Sequence, residues 1–135
     1  MAVVVSARGL ETEARDFPAF ETLAAGELAG AGLEVDFPND RDPAELVPWF
    51  DRLALVRVRF PAMGDGRGFS IGARLRELGY AGRLRAAGPL IADQFAAARR
   101  MGFDEVELPD ANAARLPADP WPAVLPPSYR ARLIA

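Results

Sequence analysis

Apolar and charged side chains alternate along four short stretches of this chain. In residues 33–37, Leu33, Val35 and Phe37 oppose Glu34 and Asp36; in 53–60, Val56, Val58 and Phe60 oppose Arg57 and Arg59. In 83–87, Leu84 and Ala86 oppose Arg83 and Arg85; in 104–108, Val106 and Leu108 oppose Glu105 and Glu107. A period of two predicts strands with one apolar and one charged face. Between these stretches the period lengthens to that of a helix. Asp42-Pro43 starts one helix, with Asp as N-cap and Pro at the first helical position, and it runs to about Arg52. Ser70 is expected to cap a second, with Ile71, Leu75 and Leu78 on one side and Gly79 as its stop. A third follows Gly88-Pro89, burying Ile91, Phe95 and Ala98 and ending at Gly102.

Strands and helices alternate with short connections, which predicts an α/β fold of four βα units with a parallel sheet. A doubly wound sheet is covered on both faces and reads as continuous apolar runs, which these strands are not. Right-handed crossovers that keep the helices on one face give sequential strand order, as in half of a βα barrel. The expected architecture is therefore half-barrel-like, with helices on one face. The other face carries two basic strands flanked by two acidic ones. Its first reading is a solvated ladder of cross-strand ion pairs, with a dimer interface or the floor of a polar site as alternatives.

The two ends of the chain are less regular. Residues 1–32 are rich in Ala and Gly, with a short strand at 3–5 and a weak helix at 19–28 carrying Phe20, Leu23 and Leu28 on one side. Residues 109–135 hold six prolines around Trp121, too many for regular helix through the middle. They read as an extended arm anchored by Trp121 and Leu125. The whole chain of 135 residues suits a single domain.

Composition narrows the chemistry. A net charge of −3 argues against nucleic acid, whose phosphates call for a basic patch. No apolar run approaches the roughly 20 residues of a membrane helix, and the start lacks the basic and apolar regions of a signal peptide. The cytoplasm is the expected location. The chain has no Cys, no His and no Lys. This excludes thiol redox chemistry, thiolate or imidazole metal ligation, lysine Schiff bases, histidine general bases and the P-loop. Catalysis would rest on carboxylates, Arg, Tyr, Ser or a bound cofactor.

The candidate site is the glycine-rich turn at 61–70. It leads from the second strand into the second helix, where backbone amides and a helix N-terminus converge and an anion can bind. Gly66, Arg67, Gly68 and Ser70 are the candidate ligand-binding residues, with Arg67 gripping a sulfate, phosphate or carboxylate. In a parallel array the next loop shares the same rim. Gly88 and Gln94 join the ligand candidates there, and Asp65 and Asp93 are the candidate catalytic carboxylates. A demanding strand-to-helix turn has the same composition, so the structural reading stands beside the binding one. The spacing from Gly64 puts Phe69 where a dinucleotide fingerprint needs its third glycine, which excludes a Rossmann site. No metal site is indicated.

A series of short motifs then follows in order: Asp65-Gly66-Arg67-Gly68-Phe69-Ser70, Ala73-Arg74-Leu75-Arg76-Glu77, Gly79-Tyr80-x-Gly82, Leu84-Arg85-Ala86-x-Gly88, Asp93-Gln94 and Gly102-Phe103-Asp104. Over about residues 50–108 the series resembles the bacterial domain of unknown function 934, with Arg83 and Pro89 departing from its pattern. The resemblance implies an association with sulfite reduction, where members are labelled oxidoreductases, and with sulfite reductase or other sulfur-assimilation proteins as partners. It names no cofactor and no catalytic residue. The expectation is an accessory protein of assimilatory sulfite reduction that binds a small anion at 61–70. The alternatives are a small half-barrel enzyme, completed as a homodimer and acting on an anionic substrate, and a non-catalytic docking module.

Overall fold

A computed structural model describes residues 2–13, 15–61 and 66–109. Six strands form one mixed sheet: β1 (Ala2–Ser6), β2 (Gly9–Glu13), β3 (Leu33–Phe37), β4 (Leu53–Arg59), β5 (Arg83–Ala87) and β6 (Glu105–Pro109), in the order β2-β1-β6-β5-β4-β3. The four strands legible from alternation are parallel neighbours in sequential order. The expected parallel-only sheet is corrected at the β6 edge, where β1 pairs antiparallel with β6 and folds back on β2 as a hairpin. Trp121 and Leu125 lie outside the described residues.

The helices differ in kind from the sequence reading while keeping their places. Asp42 does cap the segment Pro43–Arg52, its Oδ1 accepting from the Ala44 amide at 2.9 Å, but that segment is a 3-10 helix with Pro48 inside it. Helix α1 (Phe20–Ala24) is a short turn that buries Phe20 and Leu23. Helix α2 spans Arg67–Glu77 and ends before Gly79, whose φ of 102° only glycine adopts readily. Beyond β5, a single 3-10 turn (Ala92–Gln94) precedes helix α3 (Phe95–Arg100). Ile91, expected in the core, precedes that turn and α3 and is 43% exposed. Among the described residues no helix is long and apolar enough to cross a membrane.

One apolar cluster unites the helices with one face of the sheet. Val35, Phe37, Val56, Val58, Leu84, Val106 and Leu108 meet Leu23, Leu46, Ile71, Leu75, Phe95 and Ala98 there. Burial of each large side chain contributes about 1.5–3 kcal/mol, so this face drives folding.

The opposite face is crossed by residues 15–18. They leave the β2 edge after Glu13 and reach the β3 edge, where Asp36 donates its amide to the Pro18 carbonyl (2.8 Å) and Ala19 bridges to Asp36. The six residue steps from Glu13 to Ala19 reach at most about 22 Å. Six strand spacings on a flat sheet would need about 29 Å. The sheet therefore curves around its charged face.

Candidate functional site

The turn before α2 is the first site to place. Residues 62–65, including Asp65, lie outside the described residues. Helix α2 begins at Arg67 with Gly66 as its N-cap, and Ser70 sits within the first turn, its amide donating to the Gly66 carbonyl at 3.3 Å. The expected capping role of Ser70 is thus corrected. A glycine N-cap supplies no side chain, so the amides of the first turn receive no capping oxygen from that residue. Arg67 and Ser70 are exposed at this end.

Two of the candidate glycines are explained by packing. Gly68 is buried, and a Cβ there would collide with the Phe60 ring. Gly88 presses on the Phe60 backbone, where a Cβ would collide with the carbonyl oxygen. Phe60 thus lies between both glycines and draws the β4–α2 and β5–α3 connections together, while its amide donates to the Ala87 carbonyl at 2.7 Å. On the second connection Asp93 is exposed, and Gln94 Oε1 accepts from the Ile91 amide at 3.0 Å.

The second site is the charged face, and it is buried. Arg85 is 1% exposed, Arg57 3%, Glu105 4% and Glu107 9%, which corrects the solvated ladder. Burying bare charges costs several kcal/mol each, so they must be paired. They alternate in one chain. Arg83 donates to Glu105 (2.6 Å), and Arg85 to Glu105 (3.3 Å) and Glu107 (2.8 Å). Arg57 continues the chain to both oxygens of Glu107 (3.2 and 3.0 Å) and to Asp36 Oδ2 (2.7 Å). The register sets Arg57 beside Arg85, a like-charge pair that needs a shared anion. Glu107 is that anion. Its partner in register, Ala87, presents only a methyl group, so the glutamate passes over β5 to reach Arg57.

Glu13 and Phe17 complete this face. Glu13 accepts from Arg85 Nη1 and Nη2 (3.1 and 3.3 Å) and from Arg15, which also donates to Glu34 (2.7 Å). Burial pushes the Glu13 carboxyl up, but the hydrogen bonds from Arg85 and Arg15 prevail and hold it below its ordinary value. The Phe17 ring lies 4.1 Å from the Arg57 guanidinium carbon, 5.0 Å from that of Arg15 and 5.3 Å from that of Arg85, a cation–π stack. Among the described residues Arg85 Nε is buried with no hydrogen-bond partner, a cost of about 1–3 kcal/mol. Beside the Glu13–Arg85 pair a cleft of about 310 Å³ opens, lined by Arg8, Glu11, Glu13, Arg83, Arg85 and Glu105 among others. Glu13, Arg15 and Phe17 were absent from the sequence candidates. Among the described residues no group of three or more His, Cys, Asp or Glu is placed to hold a metal ion.

The family model of a bacterial protein of unknown function, DUF934, matches residues 34–120. The chain belongs to this family. The match takes in residues 34–37 of β3, β4 to β6, the α2 turn and the Arg57, Arg85, Glu105 and Glu107 part of the charged face, whereas the β1–β2 hairpin with Glu13, then Arg15, Phe17 and α1 precede it. No curated protein and no solved structure matches the chain.

Proposed function

We propose that this DUF934 protein is an accessory protein of assimilatory sulfite reduction that binds a small oxyanion at the start of α2. The observation that carries the reading is the α2 N-terminus. It has a glycine N-cap, an exposed Arg67 in its first turn, and a position at the carboxyl end of a parallel strand. Amides at such a terminus and an arginine fork are complementary to a tetrahedral oxyanion. Gly66, Arg67 and Ser70 are its binding residues in this reading, while Gly68 and Gly88 shape the turn through Phe60. The curvature of the sheet supports a half-barrel-like fold, with this rim at the end where parallel βα arrays hold ligands. The link to sulfite reduction rests on the family resemblance.

A thermal-shift titration with sulfate, sulfite and phosphate tests the site. A concentration-dependent rise in melting temperature is expected. Arg67→Ala should abolish it while changing stability without ligand by no more than about 0.5 kcal/mol. A shift that persists in Arg67→Ala overturns the site. No shift with any anion leaves docking on the reductase as the accessory role, tested by mixing the two proteins.

A further inference from the structure

We infer that the outer edge of β2 pairs with the same edge of a second copy of this chain, joining two sheets into one across a two-fold axis. The two edges of the sheet differ. The β3 edge is covered by its own chain, through the Asp36 amide on the Pro18 carbonyl and the Ala19 bridge. Among the described residues nothing pairs with the outer side of β2. That strand also lacks the features that blunt an edge. It has no Pro and no Lys, and its pairing with β1 runs from Ala2–Glu13 to Ser6–Gly9 without a bulge.

The direction of its backbone groups follows from the ladder. The Gly88 amide, just past β5, donates to the Glu107 carbonyl, so Glu107 bonds toward β5 and Val106 and Leu108 bond toward β1. Alternation then turns Val3 and Val5 toward β6, and Ala2, Val4 and Ser6 toward Glu13, Glu11 and Gly9. The N–H and C=O groups of Leu10 and Thr12 are left facing outward. Leu10 is in register with Val5, so its side chain lies on the core face. It is 50% exposed there, beside a Val5 that is fully buried.

One register makes this edge complementary to itself. Antiparallel pairing of Leu10 with the partner's Leu10 exchanges two backbone hydrogen bonds at the axis and covers one leucine with the other. It sets Glu11 opposite the partner's Gly9, next to the partner's Arg8. Among the described residues neither Arg8 nor Glu11 has an ion pair, and both line the cleft of about 310 Å³ on the charged face. Each copy thus brings the opposite charge to the other's cleft, and symmetry makes the pair twice. The neighbouring register, Leu10 on Thr12, sets Glu11 against Glu11 and is disfavoured. A five-residue strand gives a short contact, so the dimer forms and dissociates with concentration.

Sedimentation velocity over about a hundredfold range of concentration should show the wild-type chain passing from monomer to dimer. Hydrogen exchange at the Leu10 amide should slow as the dimer forms, whereas the Glu11 amide, bonded to β1, should be slow throughout. Leu10→Lys sets two cations together at the axis and should leave the protein monomeric. Position 10 is exposed, so the fold is kept, which circular dichroism checks. Arg8→Glu and Glu11→Arg should each weaken association about tenfold. The double variant should recover it, since both pairs re-form with their signs exchanged. Arg67→Ala, at the α2 rim, should leave the dimer unchanged. The inference is overturned if the wild type stays monomeric over the range, if Leu10→Lys still dimerises, or if the double variant associates no better than the single ones. A Leu10 amide protected at every concentration also overturns it, because the chain's own residues 110–135 would then cover the edge.

Discussion

Leu84 and Arg85 are neighbours on β5 and equally buried, at 0% and 1% exposure, yet they face two different kinds of interior. Leu84 joins an apolar cluster that is held by shape and by exclusion of water. Arg85 joins a lattice in which Glu13, Glu105 and Glu107 each accept from its guanidinium. The apolar face gains free energy wherever surface is removed from water. The charged face gains little net energy from burial, since desolvation offsets attraction, but every one of its groups depends on a specific partner. One sheet thus combines a tolerant face with a specific one.

The largest effect should come from breaking the lattice at its centre. Arg85→Ala is expected to cost about 3–5 kcal/mol, because three carboxylates lose a shared partner in a buried setting. Leu84→Ala is expected to cost about 2–5 kcal/mol through lost contacts and a cavity. Methionine separates the two causes. Leu84→Met conserves volume and should cost less than about 1.5 kcal/mol. Arg85→Met is also long and apolar, but it should stay near the full cost of the alanine variant because the acids remain unpaired. Urea denaturation of the four variants checks this. If Arg85→Met is as mild as Leu84→Met, the faces do not differ in kind.

A middle-sized effect should mark the outer part of the lattice and depend on pH. The Glu13 carboxyl is held below its ordinary value of 4.5 in the folded protein. A lowered carboxyl contributes stability that is present above the unfolded value and is lost as pH falls through the folded one. Glu13→Gln should therefore cost about 1.5 kcal/mol near neutral pH, in the range of a charge-assisted hydrogen bond. The gap between wild type and variant should hold above about pH 4.5 and close as the solution is acidified further. A gap constant down to strong acid would show that Glu13 acts through packing and not through charge.

The two faces were unequally readable from the sequence. Period-two alternation assigned Leu84 inward and Arg85 to the other side, and the apolar cluster followed directly. Burial of the charged side was not legible, because it depends on residues 15–18, whose Arg-Asp-Phe-Pro run carries no periodicity. The β1–β2 hairpin was half visible. Its turn, Ala7-Arg8, lacks the Asn-Gly type of signal, and β2 has Leu10 as its one large apolar side chain. Around α2 the glycines were noticed for the chemistry they permit, but Gly68 and Gly88 answer to the bulk of Phe60. Arg76 reads as a surface charge, yet its guanidinium donates to the carbonyls of Tyr80, Gly82 and Gly102 and pins the end of α2 to two loops. Such contacts are set by tertiary distance, which spacing along the chain does not encode.

The smallest effect should appear at the margin of the lattice, where it tests whether burial or charge makes the face specific. Arg59 donates to Asp36 at 3.1 Å, but its side chain is 51% exposed. It belongs to the same alternating chain as Arg85 and has the same chemistry, but it is open to solvent where Arg85 is buried among three carboxylates. Exposed pairs are worth about 0–1 kcal/mol, and salt screens them further. Arg59→Ala should cost less than about 1 kcal/mol, with the difference fading towards 1 M salt as the Debye length falls to about 3 Å. Arg85→Ala should keep most of its cost across that range, since its guanidinium is 1% exposed and buried pairs are screened much less than exposed ones. Parallel salt series on the two variants provide the measurement. Equal salt dependence would place Arg85 in contact with solvent, and the contrast between the faces would then reduce to ordinary surface electrostatics.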